Sequence, residues 1–209
     1  MSRPDHDSAF EVSKFSGTDT PQSMASRPSE ESSKMSVERT AAVTLKGNPM
    51  DLIGPEIKVG DQAPDFTTVG AGLSIVKLAD TTGKVRMFNV VPSLDTPVCN
   101  IQTRRFATEL AAFGESVQAY TVSTDLPFAQ ARWCGDAKVE NIKNLSDLHD
   151  QSFGKGFGVL VKGIPVPFLT RAIFIVDASD KVVYVQYVAE IASEPDYDAA
   201  LAALKAAVA

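Results

Sequence analysis

The sequence predicts an α/β fold in which helices flank a central mixed β-sheet, with a β-hairpin added at the N-terminal end. Three observations lead to this fold class. The run Val85–Val91 is almost wholly apolar, which is typical of a strand buried on both faces of a parallel or mixed sheet. A segment with helical spacing follows it, and a late pair of strands precedes an amphipathic C-terminal helix. Apolar residues make up 44% of the 209 residues, so the chain can bury a full core without disulfide staples.

The predicted elements begin with the hairpin. Thr40–Leu45 alternates in polarity, Lys46–Pro49 has the composition of a turn, and Met50–Ile53 is the return strand. Val59–Phe66 contains a glycine and a proline and is therefore expected to be a connector. It leads into the segments Thr67–Val69 and Leu73–Leu78.

The central strand and the helix after it come next. Val85–Val91 ends at Pro92, and Val98–Phe113 then shows helical spacing. The apolar residues expected on the core face of this helix are Val98, Ile101, Phe106, Leu110 and Phe113. Gly114 is the expected stop.

The second half of the chain completes the sheet. The predicted elements are a buried strand at Val117–Val122, a short helix from Phe128 to Trp133 or Cys134, an edge strand at Ile142–Leu145 and a helical turn near Leu148–Phe153. A hairpin at Arg171–Val176 and Val182–Val188 and a helix at Tyr197–Val208 follow. A β–α–β half followed by a β–β–α half is the order of a thioredoxin-like fold.

The composition changes near the start of the first strand. Residues 1–38 are rich in serine and have few large apolar side chains, so we expect a disordered extension that serves as a regulatory tail or is an added leader. Residues 39–209 are the expected thioredoxin-like domain.

Several function classes are excluded by composition. The net charge of −6 and the pI near 5.0 argue against a nucleic-acid partner. No apolar run approaches the roughly 20 residues that span a bilayer, so no membrane association is expected. The N-terminal segment lacks the apolar stretch of a secretory signal, which leaves the cytoplasm as the expected compartment. His6, His149 and the two cysteines have no ligand-like spacing, so neither a metal nor a cofactor is expected.

Cys99 lies in the first turn of the helix that follows the buried strand. Pro97 suits the helix start, and free backbone N–H groups together with the helix dipole favour a thiolate there. Thr96 stands three residues earlier, where its hydroxyl can hold a peroxide oxygen near the sulfur. A cysteine after a buried strand is also commonly an inert core residue, and its placement alone leaves both interpretations open.

The residues around Cys99 carry a family resemblance. The segment from Pro92 through Thr96 to Cys99 matches the peroxiredoxin signature P-x-x-x-T-x-x-C. The strings VPSLDTPVC and DLPFAQARWC resemble the thiol peroxidase branch, the atypical two-cysteine peroxiredoxins. GNPMDLIG, LTRAIFIVD and VAEIASEPDYDAAL are similar to it in the same order, so the resemblance extends from about Ala42 to Leu204.

The resemblance implies a role for each matching residue. Cys99 is the peroxidatic cysteine and Cys134 the resolving cysteine, and the two form an intramolecular disulfide. Thr96 orients the peroxide, and Pro92 shields the sulfur from water. Arg171 falls on the family's active-site arginine, whose permanent charge stabilises the thiolate and the departing oxygen. Without the family, an arginine at the head of an apolar strand is more commonly a surface or edge residue.

The resemblance also implies the reaction and its partners. The chain is expected to reduce hydrogen peroxide and organic hydroperoxides, to be recycled by thioredoxin, and to form a homodimer. Residues such as Ile164, Val166 and Phe168 could favour alkyl or lipid peroxides. Because the cysteines lie on different predicted helices, we expect the Trp133–Cys134 region to rearrange between redox states. Trp133 stands where the family more often has Phe.

Two rival functions remain open at this point. A disulfide oxidoreductase of the same fold is disfavoured because the sequence has no C-x-x-C pair. A peroxide-sensing redox switch or chaperone would use the same cysteine but react once without turning over.

Overall fold

The computed structural model describes residues 37–209 and shows the predicted mixed sheet flanked by helices. Apart from Val37 and Glu38, the extension predicted for residues 1–38 lies outside the described residues. In this part of the chain the strands are β1 Glu38–Leu45, β2 Asn48–Ile53, β3 Thr67–Val69, β4 Ile75–Lys77, β5 Val85–Val90, β6 Val117–Ser123, β7 Ile142–Ser146, β8 Leu160–Val161, β9 Ala172–Val176 and β10 Val182–Tyr187. The α-helices are α1 Pro97–Leu110, α2 Pro127–Ala137, α3 Ser152–Gly156 and α4 Tyr197–Val208.

The main sheet has seven strands in the order β10-β9-β5-β6-β7-β3-β4. Strands β5, β6 and β7 are parallel, while β9 pairs antiparallel with both β5 and β10. The prediction that Ile142–Leu145 forms an edge strand is wrong. Val69 of β3 pairs with Ser146 at the end of β7, and β4 forms the edge instead. The sequence does not show this, because β3 is three residues long and precedes β7 by more than seventy positions.

The predicted N-terminal hairpin is present as β1 and β2, and β8 extends it to a three-stranded sheet. Lys46 and Gly47 at its tip both have positive φ, 51° and 79°, as a tight two-residue hairpin turn requires. The Glu190 carboxylate anchors the tip by accepting hydrogen bonds from Lys46 N at 2.9 Å and Gly47 N at 3.0 Å. Four hydrogen bonds, from Ala192 N, Gly47 N, Lys46 N and the Thr44 hydroxyl, lower the pKa of Glu190 to about 2. The hairpin is therefore tied to the loop after β10.

The two faces of the main sheet carry separate apolar cores. Side chains of β5 alternate between them, as strand geometry requires. Phe88 and Val90 pack in the core that includes α3, and Met87 packs in the core under α1 and α4. All three side chains are fully buried. The near-continuous apolar run of this strand therefore reflects burial on both faces, as predicted.

Helix α1 buries a different face from the one predicted. Phe106 and Leu110 are buried as expected, but Ile101 is 51% exposed. Gln102 and Thr103 are completely buried beside Cys99 instead. Both polar side chains have hydrogen-bond partners inside the protein, and these bonds offset the cost of burying them. The spacing of apolar residues along the sequence does not reveal such partners.

The remaining differences are small. Helix α2 continues beyond the predicted end at Cys134 to Ala137, and the helical turn predicted near Leu148–Phe153 is displaced to α3. Among residues 37–209, no helix is long and apolar enough to cross a membrane.

Candidate active site

Cys99 lies at the start of α1, immediately after the central strand of the sheet. Thr96 is the N-cap residue and Pro97 the first helical residue. Cys99 is the third helical residue, so its backbone N–H belongs to the first turn, where no intrahelical acceptor exists. The side chain is completely buried. The loop before it is held by Asp125, whose carboxylate accepts hydrogen bonds from Leu94 N at 2.8 Å and Ser123 Oγ at 2.9 Å.

Thr96 turns its hydroxyl toward the cysteine instead of capping the helix. Its Oγ1 lies 2.8 Å from Cys99 Sγ and 3.0 Å from Ser93 O. An N-cap threonine ordinarily accepts a hydrogen bond from the backbone of the first turn, but no such bond is made here. The hydroxyl therefore has no capping role, and its single hydrogen can be donated either to the Cys99 sulfur or to Ser93 O.

Arg171, the residue immediately before β9, contacts the same sulfur. Its Nη2 lies 3.3 Å from Cys99 Sγ, its Nε donates to Ile191 O at 2.9 Å, and its Nη1 donates to Gln102 Oε1. The residue is only 2% exposed, so the interpretation as a surface or edge residue is wrong. A buried guanidinium beside a sulfur favours the negatively charged thiolate.

Buried polar side chains extend inward from Arg171. Gln102 Nε2 donates to Asn89 Oδ1. Asn89 Nδ2 in turn donates to Thr103 Oγ1 and Thr121 Oγ1, both at 3.1 Å. All four residues are completely buried. The guanidinium thus stands at one end of a continuous hydrogen-bonded network.

A cavity of about 690 Å³ lies next to the two residues that contact the Cys99 sulfur. Pro92, Thr96 and Arg171 are among the residues that line it. Apolar side chains that include Val166 and Phe168 also line it, whereas Ile164 does not. The size and apolar character suit an organic molecule that carries one reactive polar group.

The hairpin tip also contributes to this cavity. Leu45 and Lys46 line its rim together with Ile191 and Ala192 of the loop after β10. Ile191 N donates to Thr44 O at 2.8 Å, while Ile191 O accepts from Arg171. One short loop therefore joins the hairpin to the guanidinium.

Cys134 lies on α2 and is half-buried. Asn144 Nδ2 donates to its sulfur at 3.0 Å. Burial raises the pKa of the Cys134 thiol, and the hydrogen bond from Asn144 offsets part of that rise. Its environment therefore favours the protonated thiol.

Cys134 does not line the cavity next to Thr96 and Arg171. Cys134 lines a second cavity of about 580 Å³, with Tyr120, Gln130 and Asn144 among its other walls. Both cysteines are free. The carbonyl of Cys134 accepts hydrogen bonds from Val139 N and from the C-cap residue of α2. Movement of Cys134 toward Cys99 would therefore break the last turn of this helix.

Four of the five residues predicted from sequence meet at one place. Pro92, Thr96 and Arg171 line one cavity, and Thr96 and Arg171 also contact the buried Cys99 sulfur, while Cys134 lies at a different cavity. The sequence reasoning missed Gln102 and Asn89. Their signals were present: Gln102 lies one turn after Cys99 on α1, and Asn89 is the polar residue that interrupts an apolar strand. Among residues 37–209, no group of three or more His, Cys, Asp or Glu side chains is arranged to hold a metal ion.

Comparison with known proteins identifies relatives over most of the chain. The model of the Redoxin family matches residues 58–201. The thiol peroxidase of Halalkalibacterium halodurans is 52% identical over 168 residues, covering 80% of this chain and 99% of that protein. The thiol peroxidase of Bacillus subtilis is 49% identical with the same coverage.

Solved structures of a peroxiredoxin-like protein and of a thiol peroxidase are also similar to this chain. A peroxiredoxin-like protein from Aquifex aeolicus is 41% identical, with a TM-score of 0.74, and the match covers 80% of this chain and 98% of that one. A thiol peroxidase from Chromobacterium violaceum has a TM-score of 0.72 at 23% identity, covering 78% and 95% of the two chains, and it supports the fold alone.

Proposed function

This chain belongs to the redoxin family and, within it, to the thiol peroxidases, and from that premise we propose that Cys99 is the residue that reduces hydroperoxides. One observation carries the proposal. The Cys99 sulfur is buried at a helix start with a hydroxyl 2.8 Å away and a guanidinium nitrogen 3.3 Å away. Donors on both sides support the thiolate and can also hold the oxygens of a peroxide.

The first step is a two-electron transfer from sulfur to oxygen. The Cys99 thiolate attacks the terminal peroxide oxygen, a sulfur–oxygen bond forms, and the oxygen–oxygen bond breaks. The departing oxygen takes a proton and leaves as water or an alcohol, and Cys99 becomes a sulfenic acid. Thr96 orients the peroxide, and Arg171 stabilises the charge on the departing oxygen. Pro92 in the cavity wall limits the access of water to the sulfur.

The second step closes a disulfide. The Cys134 sulfur attacks the sulfenic sulfur of Cys99, a sulfur–sulfur bond forms, and water leaves. Thioredoxin then reduces this disulfide by two thiol exchanges. The partly exposed position of Cys134 supports attack by an external reductant at that sulfur. The cycle needs a reduced resting state, so we place it in the cytoplasm, where it serves antioxidant defence and redox homeostasis.

The assembly that we propose is a homodimer. Exposed apolar side chains lie close to the mouth of the Cys99 cavity, including Leu148 at 37% and Val166 at 70% exposure. Phe128 at the start of α2 is 67% exposed. A second copy would cover apolar surface of this kind. Sedimentation of the reduced and oxidised protein at micromolar concentration is the test, and a monomer in both states would contradict the proposal.

Peroxide consumption coupled to thioredoxin tests the function. Wild type is expected to turn over repeatedly with hydrogen peroxide and with an organic hydroperoxide, while Cys99→Ser is inactive with both. Full activity in Cys99→Ser would refute the mechanism. A wild-type protein that reacts once and then stops would point to a redox switch instead of an enzyme.

A further inference from the structure

Asn89 is a polar residue in the middle of an apolar central strand. It is completely buried, and its neighbours in the chain, Phe88 and Val90, belong to the core. On β6 its register partner is Thr121. An amide at such a depth is costly unless every polar group on it is paired. The hydrogen-bond partners of the Asn89 amide therefore indicate its role in the structure.

The direction of each hydrogen bond is fixed from the arginine outward. Arg171 can only donate, so Gln102 must turn its Oε1 toward Nη1. Gln102 Nε2 then faces inward and needs an acceptor, which Asn89 Oδ1 supplies. Asn89 Nδ2 has two hydrogens, and Thr103 Oγ1 and Thr121 Oγ1 accept them. Rotating the Gln102 amide by half a turn would set two donors against each other.

We propose that Asn89 is a positioning residue for Arg171. Its Oδ1 accepts from Gln102 Nε2 and so anchors the far end of the Gln102 amide, and Gln102 in turn holds the guanidinium against the Cys99 sulfur. The other protein anchor of Arg171 is the Ile191 carbonyl at Nε, so Gln102 supplies its side-chain anchor. Without Asn89, the buried Nε2 of Gln102 loses its acceptor, and the Gln102 side chain is no longer held in place against the guanidinium. This inference rests on the proposed role of Cys99 in peroxide reduction.

Two substitutions at Asn89 separate positioning from packing. Asn89→Leu has a similar size and removes both the acceptor and the donors. Asn89→Asp retains an acceptor for Gln102 Nε2, and the two threonine hydroxyls can rotate to donate to it. Thr68→Val is the matched control, since Thr68 is equally buried and its hydroxyl bonds to a backbone carbonyl at 3.0 Å with no link to Arg171. A Cys134→Ser background leaves Cys99 as the only thiol.

The measurement compares two reactions of the same sulfur. Second-order rate constants of Cys99 are determined with cumene hydroperoxide and with iodoacetamide. Both reactions depend on the thiolate, but only the first develops charge on a departing oxygen that Arg171 can stabilise. The ratio of the two rate constants therefore reports the placement of Arg171 and is insensitive to a uniform loss of folded protein.

The expected results are distinct for each variant. Asn89→Leu lowers the peroxide rate constant about tenfold or more, and the ratio of peroxide to alkylation falls with it. Asn89→Asp recovers most of the ratio, and Thr68→Val leaves it unchanged. An unchanged ratio in Asn89→Leu, or an equal loss in the Asp and Leu variants, overturns the inference.

Two further measurements keep the result interpretable. If Asn89→Leu does not fold, Thr121→Val removes one of the two acceptors of the Asn89 amide and should lower the ratio in the same direction. An unchanged ratio there overturns the inference as well. If the unsubstituted Cys99 reacts no faster with the peroxide than with iodoacetamide, the proposed function fails, which is a different outcome from a failure at Asn89.

Discussion

Replacing Thr96 by Val isolates the hydroxyl beside the reacting sulfur. The substitution keeps the branched shape and removes only a group that lies 2.8 Å from Cys99 Sγ. It leaves no buried acceptor unpaired, because Ser93 O still accepts from the backbone N–H of residue 96 at 3.1 Å. Thr96 is exposed and makes no capping hydrogen bond with its side chain. We therefore expect the free energy of unfolding to change by no more than about 0.5 kcal/mol.

The rate of peroxide reduction should change far more. A hydrogen bond to a charged group contributes about 1.5–3 kcal/mol, which corresponds to a rate loss of about 10- to 150-fold if the bond is fully present only in the transition state. A single-turnover assay checks this: the reduced protein is mixed with a hydroperoxide, quenched with an alkylating agent, and the unreacted Cys99 thiol is counted by mass spectrometry. Thr96→Ser retains the hydroxyl and is the control, expected near the wild-type rate. A Val variant as fast as wild type, or a Ser variant as slow as Val, would show the reasoning to be wrong.

Four other predictions concern different parts of the molecule. In Cys134→Ser the first turnover should survive while thioredoxin-driven recycling fails, seen as a burst of peroxide consumption without a steady state; normal recycling would remove Cys134 from the resolving role. Hydrogen exchange around Trp133 and Cys134 should be faster in the oxidised protein, because closing the disulfide disrupts the last turn of α2; equal exchange in both states would contradict this. Lys46→Glu reverses a charge at the cavity rim, so kcat/KM should fall for a hydroperoxide bearing a carboxylate and stay near wild type for an uncharged one. Burial raises the pKa of Asp147 from 3.8 to about 7, so the stability that its protonated form contributes is fully present below about pH 4 and is lost as the pH rises through about 7, by about 4 kcal/mol at most. Asp147→Asn should therefore flatten the decline in the free energy of unfolding with pH, measured by denaturant unfolding. An unchanged dependence on pH would refute this prediction.

The fold was largely predictable because the strands of the main sheet carry a strong apolar pattern. Val85–Val91 could be assigned from its composition, since both faces of β5 are buried. The interior position of β7 in the sheet could not be assigned from the sequence, because it depends on a single pairing between Val69 and Ser146. Long-range pairing by one or two residues leaves no periodic trace in either segment.

The site was predictable to the extent that it is local. Pro92, Thr96 and Cys99 lie within eight consecutive residues, and their match to the peroxiredoxin signature indicates a reactive cysteine where placement alone left an inert core residue open. Arg171 could be connected to them only through the family resemblance, because the fold brings it in from a strand far along the chain. Asn89 stands out in the sequence as a polar residue in an apolar strand, but its link to the site could not be predicted, since its partners come together only when β5, β6 and α1 are assembled.

The link between the hairpin tip and Arg171 bears on where a working fragment of this enzyme can begin. The region matched by the family model starts at residue 58, which lies after the whole of β1 and β2. A protein trimmed to that boundary would lack Leu45 and Lys46, which line the cavity. It would also lack the Thr44 carbonyl that accepts a hydrogen bond from Ile191 N. Because Ile191 O also accepts from the Arg171 guanidinium, loss of the hairpin would disturb the one loop that holds Arg171 beside the Cys99 sulfur. We therefore expect the smallest catalytically competent unit to be larger than residues 58–201, the stretch that the family model matches.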